Sequence, residues 1–197
     1  MEGRVMGQAA IEKGQRYTYV DYMKWNDEQR WELIEGFAVN MTPSPSRLHQ
    51  KILGDLHNQF YNYLKGKPCE VYGAPFDVRF PGVNEGDEDI DTVLQPDLSV
   101  ICDPGKLDDR GCKGAPDLVI EVLSPETAKR DLTVKLSTYE KSGVREYWVV
   151  HPGDKTVMIF SLSETGEYGK PKVYAEKDEI PVNLFQDLVI YLGSVFA

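Results

Sequence analysis

Pro116-Asp117-Leu118-Val119-Ile120-Glu121-Val122-Leu123 is the stretch that decides the fold. Residues 117–123 form a nearly continuous apolar run broken by one acid. Such runs suit a central strand covered on both faces. Residues 126–142 come next with the pattern of a helix, and Gly143 supplies its stop. Residues 144–150 are strand-like again. A strand, helix and strand of these lengths fit a right-handed parallel crossover. Upstream, residues 97–102 read as a further strand. The order of elements predicts an α/β fold, a mixed sheet flanked by helices on both faces.

Outward from this centre the chain is punctuated clearly. Residues 1–16 are polar and aperiodic and read as a loose tail. Thr18 with Asp21 fits a capping box, which predicts a short helix over 19–29. Residues 31–39 read as a hairpin turning at Glu35-Gly36. Pro43-Ser44-Pro45-Ser46 breaks the chain and offers a serine cap to the next helix. Leu48, Ile52, Leu53, Leu56, Phe60 and Leu64 recur at helical spacing, so 47–64 is an amphipathic helix. Strands are expected at 70–73 and 76–80, then an acidic loop over 84–91. Pro152-Gly153-Asp154 turns the chain into a strand at 156–161, and short strands finish it. With no internal repeat and no linker, 17–197 is expected to form one domain.

Composition excludes several classes. Of 197 residues, 41% are hydrophobic and 11% aromatic, too many for a disordered chain. No apolar stretch approaches the roughly 18 residues of a membrane span. Residues 1–14 contain no apolar core of a secretory signal. Cys69, Cys102 and Cys112 are an odd count without a C-x-x-C pair, which reads as three reduced thiols in a cytoplasmic protein. The net charge of −10 counts against a generic nucleic-acid coat. Two predicted helices are the basic exceptions. Arg47, Lys51, Lys65 and Lys67 face only Asp55 in the first, and five basic residues outnumber three acids over 124–145. A local path for DNA is compatible with that placement.

Two acids carry the chemistry. Asp97 opens a strand, and Glu121 sits inside the apolar run. Ionised carboxylates are rarely placed in a buried strand without a partner or a metal. Two of them on adjacent strands can converge on one hard cation, for which oxygen ligands are suited. Asp131, Lys135 and Tyr139 recur at i, i+4 and i+8 and share one helical face. Asp117 lies on the same strand as Glu121 and reads as a strand entry. Asp87, Asp89 and Asp91 resemble the start of a calcium loop, but Thr92 and Leu98 occupy its glycine and glutamate positions. His49, His57 and His151 have no zinc spacing, and no phosphate-binding glycine loop or serine elbow is present.

Pro96-Asp97 with Glu121-Val122-Leu123 resembles the PD-(D/E)XK nuclease superfamily. A longer resemblance runs from Tyr17 to Phe160, to a restriction-endonuclease family of unknown function that is abundant in cyanobacteria. It rests on Trp31-Glu32-Leu33-Ile34-Glu35-Gly36, on Pro43-Ser44 with His49, on Pro96-Asp97 and on 115–125. Asp131, Lys135, Tyr139 and Gly143-Val144-Arg145-Glu146-Tyr147-Trp148 complete it. The resemblance implies a restriction-endonuclease-like mixed sheet with extra β-hairpins. It also implies a metal-dependent endonuclease acting on DNA phosphodiester bonds. Asp97 and Glu121, with the carbonyl of Val122, are implied as ligands of Mg²⁺ or Mn²⁺. Leu123 stands where the superfamily carries lysine, and Lys135 on the following helix is the implied replacement. Glu32 and His49 match further family positions. A homodimer is expected, and no membrane. Two rivals stay open: a non-catalytic DNA-binding or regulatory module, and an interaction protein with an acidic face.

Overall fold

The computed structural model describes residues 14–26, 29–41, 44–82 and 85–197. The expected tail over 1–16 falls almost entirely outside them, as do Pro43 and Asn84. The chain packs as two compact units. One is Met1–Ser44 with Arg79–Leu94, and the other is Pro45–Val78 with Gln95–Ala197.

In the first unit, Trp31–Ile34 and Phe37–Asn40 form the expected hairpin. Both turn residues, Glu35 at φ 49° and Gly36 at φ 81°, are left-handed. That geometry matches the right-handed twist of the flanking strands. Val93–Leu94 adds a strand beside Leu33. Tyr17, Tyr19, Leu33, Ile90 and Val93 make this unit's core. The helix predicted over 19–29 is a correction: it spans only Tyr19–Tyr22. Trp25 ends it by turning back edge-on against Tyr17 and Tyr22. Asp21 accepts the Thr18 N–H at 3.2 Å, which lowers its pKa.

The second unit is built on a six-stranded sheet. Its order is Lys172–Ala175, Thr156–Ser161, Glu146–His151, Leu118–Val122, Leu98–Ile101, Glu70–Gly73. Leu118–Val122 is central and runs parallel to Glu146–His151, as the crossover requires. The other neighbours are antiparallel. Alternation then sorts the side chains. Leu98, Val100, Leu118, Ile120, Val122, Trp148 and Val150 pack on one face against Ile52, Leu56 and Phe60. Those three belong to the helix Arg47–Leu64, which Ser46 caps by accepting the His49 N–H.

The opposite face carries Glu121 and Tyr147, and the helical segment over 128–142 covers it. Tyr139 and Tyr147 meet there at 4.9 Å between ring centroids. That segment is not one regular helix. A π-helical turn, Asp131–Lys135, is inserted before Leu136–Ser142, and Gly143 at φ 86° ends it. Two further hairpins, Leu107–Asp108 with Gly111–Lys113 and Glu179–Pro181 with Val189–Tyr191, lie outside this sheet. The strand expected over 76–80 shortens to Val78–Arg79.

The cysteine reading is overturned. Cys69 and Cys102 form a disulfide, and Cys112 is a buried cysteine outside it. The cause is register. Glu70 pairs with Ile101, so the next residues outward on the antiparallel pair are 69 and 102. Thirty-three residues of sequence separate the two cysteines, and no local motif announces the pairing. The thiols therefore give no support to a reducing, cytoplasmic setting. Among the described residues, no helix is long and apolar enough to cross a membrane.

Candidate nuclease-type centre

The strand Leu98–Ile101 pairs antiparallel with Leu118–Val122, and Leu98 faces Ile120. One step further along this register sets Asp97 opposite Glu121. Asp97 Oδ2 accepts the Val122 N–H at 2.8 Å and lies 3.0 Å from His49 Nε2. These bonds use one oxygen. Its carboxylate is about one-fifth exposed, whereas Glu121 is almost wholly buried.

Glu121 is neutralised from the helical segment above it. Its Oε1 accepts from Lys135 Nζ at 2.7 Å and from Tyr139 Oη at 2.7 Å. Lys135 is only 2% exposed and also lies 3.9 Å from Asp131 Oδ1. A buried carboxylate and ammonium need this pairing, since either charge alone is costly in the interior. The π turn takes part. Five residues from Asp131 to Lys135 sit in it, and Tyr147 Oη donates to the Asp131 carbonyl at 3.1 Å. Extra turns of this kind recur at functional sites because they re-aim side chains. Burial, with the charges of Glu121, Asp131 and Asp97 nearby, raises the Tyr147 pKa well above its usual value. Tyr147 and Trp148 are core residues with no exposed face.

His49 comes from the first turn of the helix Arg47–Leu64 and is buried. Burial pulls its pKa down. The hydrogen bond and charge of Asp97, aided by Asp131, outweigh that and leave it raised. Asp117 is a strand entry, as expected. Its carboxylate accepts the Cys102 N–H at 2.8 Å and meets Arg145 at 3.4 Å.

Asp97, Glu121, Val122, His49 and Lys135 thus share the second unit, with His49 and the Val122 N–H bonded to Asp97 and Lys135 bonded to Glu121. Glu32 belongs to the first unit, fully buried on Trp31–Ile34 opposite Val39. Val122 enters through its N–H. Tyr139 and Asp131 are the functional candidates that residue types alone did not assign, although the i, i+4, i+8 stripe contained both. Among the described residues, no group of three or more His, Cys, Asp or Glu side chains is arranged to hold a metal ion.

A mixed sheet between helices, with opposed acids on neighbouring strands and a lysine on the covering helix, defines the restriction-endonuclease-like class. The chain belongs to the Uma2 family, described as "Putative restriction endonuclease", whose model matches residues 19–193. It is similar to the uncharacterized protein slr1290 of Synechocystis sp. (strain ATCC 27184 / PCC 6803 / Kazusa), 28% identical over 151 residues and covering 75% of each. Its fold matches a crystal structure from Anabaena variabilis ATCC 29413, described as a putative nuclease belonging to DUF820. The TM-score is 0.72 at 20% identity, over 91% of this chain and 97% of that one.

Proposed function

We propose that this chain binds nucleic acid at the Asp97–Glu121–Lys135 centre and hydrolyses phosphodiester bonds there with a divalent cation. One observation carries the reading: two carboxylates stand opposite each other on neighbouring strands, with an amine 2.7 Å from one of them. The donor set fits magnesium or manganese. Both acids offer hard oxygens, and Asp97 Oδ1 accepts none of the hydrogen bonds of the described residues. Mg²⁺ is commonly held by one or two carboxylates, with waters and substrate phosphates completing its shell. Asp97 and Glu121 would hold it, with the Val122 carbonyl as third donor. A bound cation supplies polarisation of the phosphate and a more acidic water.

The chain's own groups do the rest. Lys135 brings a buried positive charge to where phosphate charge grows. Tyr139 holds Glu121 Oε1 in place. His49 and the Val122 N–H fix Asp97 through Oδ2, leaving Oδ1 directed elsewhere. Glu32 enters this reading as a residue to test by substitution. DNA is the substrate class, and a homodimer would address both strands with two centres.

A second reading, a non-catalytic DNA-binding or regulatory module, has specific support. Leu123 occupies the superfamily's lysine position, and Glu121 Oε1 is already engaged twice by the protein. Family and fold support this module more directly than they support hydrolysis, because it needs no loaded cation. Incubation with linear, supercoiled and single-stranded DNA in Mg²⁺ or Mn²⁺ separates the two. Product that vanishes in Asp97→Asn and Glu121→Gln establishes hydrolysis. DNA retention in a binding assay with no product on any substrate establishes the module.

A further inference from the structure

A second feature of the same unit is a cleft of about 450 Å³ beside the strand Glu70–Gly73 and the hairpin Leu107–Lys113. Tyr72 and Phe76 line it as a flush aromatic pair, with centroids 4.3 Å apart and planes inclined by 5°. Both are only partly buried, so ring surface remains open to the cleft. The Tyr72 hydroxyl donates to Glu70 at 2.5 Å, which fixes the ring and pushes the phenol up to about 12. Beside the rings, Gln95 Nε2 donates to Asp77 Oδ1 at 2.8 Å. Gln95 is buried, so this amide and carboxylate form a fixed polar edge rather than a mobile one.

The hairpin presses on that edge. Gly111 has φ +124°, and a Cβ there would lie 2.2 Å from the Asp77 carbonyl oxygen. The Cys112 N–H donates to the same oxygen at 2.9 Å. Only glycine permits so close an approach. The cleft is also tied to the acidic centre by backbone. Gln95 is two residues before Asp97, and the Ala74 N–H donates to the Asp97 carbonyl at 3.1 Å.

We propose that this cleft is a nucleobase subsite that takes an unpaired base of the strand presented to Asp97 and Glu121. It rests on the nucleic-acid reading above and names the base contact which that reading leaves open. Flat aromatic surface is what a base stacks on, whatever its identity. Charge excludes the phosphate as the occupant. Asp77, Asp108 and Asp109 outnumber Arg110 around the cleft, which repels an anion. A neutral base whose edge donates N–H groups suits it, and guanine presents two such donors side by side. The Asp77 carboxylate accepts them, as acid side chains accept from base amino groups elsewhere.

Nucleosides test the cleft without phosphate, metal or cleavage. The full chain in chelator, titrated with guanosine, inosine and uridine, is followed by saturation-transfer NMR. Guanosine is expected to bind most tightly. Phe76→Ala is expected to weaken every nucleoside about tenfold, as loss of one stacking surface does. Phe76→Leu, which keeps apolar volume, is expected to weaken them similarly while the chain stays folded. Asp77→Asn is expected to erase the preference for guanosine over inosine. Absence of saturation transfer, or binding unchanged in both Phe76 variants, overturns the subsite. Cleavage of DNA without nucleoside binding overturns the subsite alone. Nucleoside binding without metal-dependent cleavage supports it and overturns only hydrolysis.

Discussion

Lys135 and Glu121 are the pair on which most depends at the scale of single residues. Both are buried, and they meet at 2.7 Å. Lys135→Met leaves a carboxylate in the interior without its cation, and breaking a buried pair typically costs about 3–5 kcal/mol. Urea unfolding of Lys135→Met is expected to show a loss of that size, and any DNA cleavage should disappear with it. Tyr139→Phe removes a hydrogen bond to the same charged oxygen. Its expected cost is about 1.5–3 kcal/mol, read from the same denaturant curves. Glu146 offers a pH test. Burial raises its pKa above 4.5, against the pull of hydrogen bonds from Trp148 and the Leu184 backbone. The folded chain thus holds this proton more tightly than the unfolded chain. Stability is gained as pH falls toward 4.5 and lost as pH rises through the raised value. Glu146→Gln cannot titrate, so its melting temperature should vary less with pH over that interval. Glu121 was conspicuous in the sequence because a carboxylate rarely interrupts an apolar run, and Asp97 because it opens a strand after Pro96. The partners of Asp97 were less so: a backbone N–H and a histidine 48 positions away leave no local pattern.

Among the elements, the π turn at Asp131–Lys135 sets where the stripe of Asp131, Lys135 and Tyr139 points. One residue fewer in a helix rotates everything beyond it by about 100°. Deleting Val134, which is partly exposed, should restore regular winding and swing either Lys135 or Tyr139 off Glu121. Far-UV circular dichroism is expected to stay nearly constant while stability falls and any DNA cleavage is lost. Periodicity did locate this segment, the helix Arg47–Leu64 and the parallel crossover, since each depends on spacing alone. The same method placed a helix over 19–29 that stops at Tyr22. There, aromatic packing by Trp25 overrides a pattern that local propensity allows. The π turn itself has no spacing signature, because Asp131, Lys135 and Tyr139 recur at the same i, i+4 steps that a regular helix would show.

For the molecule as a whole, the disulfide is the largest departure from what residue types foretold. Cys69 and Cys102 close a long loop between paired strands. Constraining the unfolded chain through a loop of that length stabilises by about 4 kcal/mol in the chain-entropy account. Cys69→Ser, or mild reduction, should lower the denaturant midpoint accordingly. The bridge escaped the sequence because three cysteines give no arithmetic, and only the register brings two of them together. The parallel crossover at the centre of the sheet, by contrast, was legible from one apolar run and the helix and strand that follow it. The self-compensated acid at the centre has a practical meaning for how this chain lives between encounters. Glu121 already has its counter-charge from Lys135, so the chain does not wait for a mineral ion to become itself. Dialysis against chelator is expected to leave its architecture whole. Its melting temperature in EDTA is expected to match that in plain buffer.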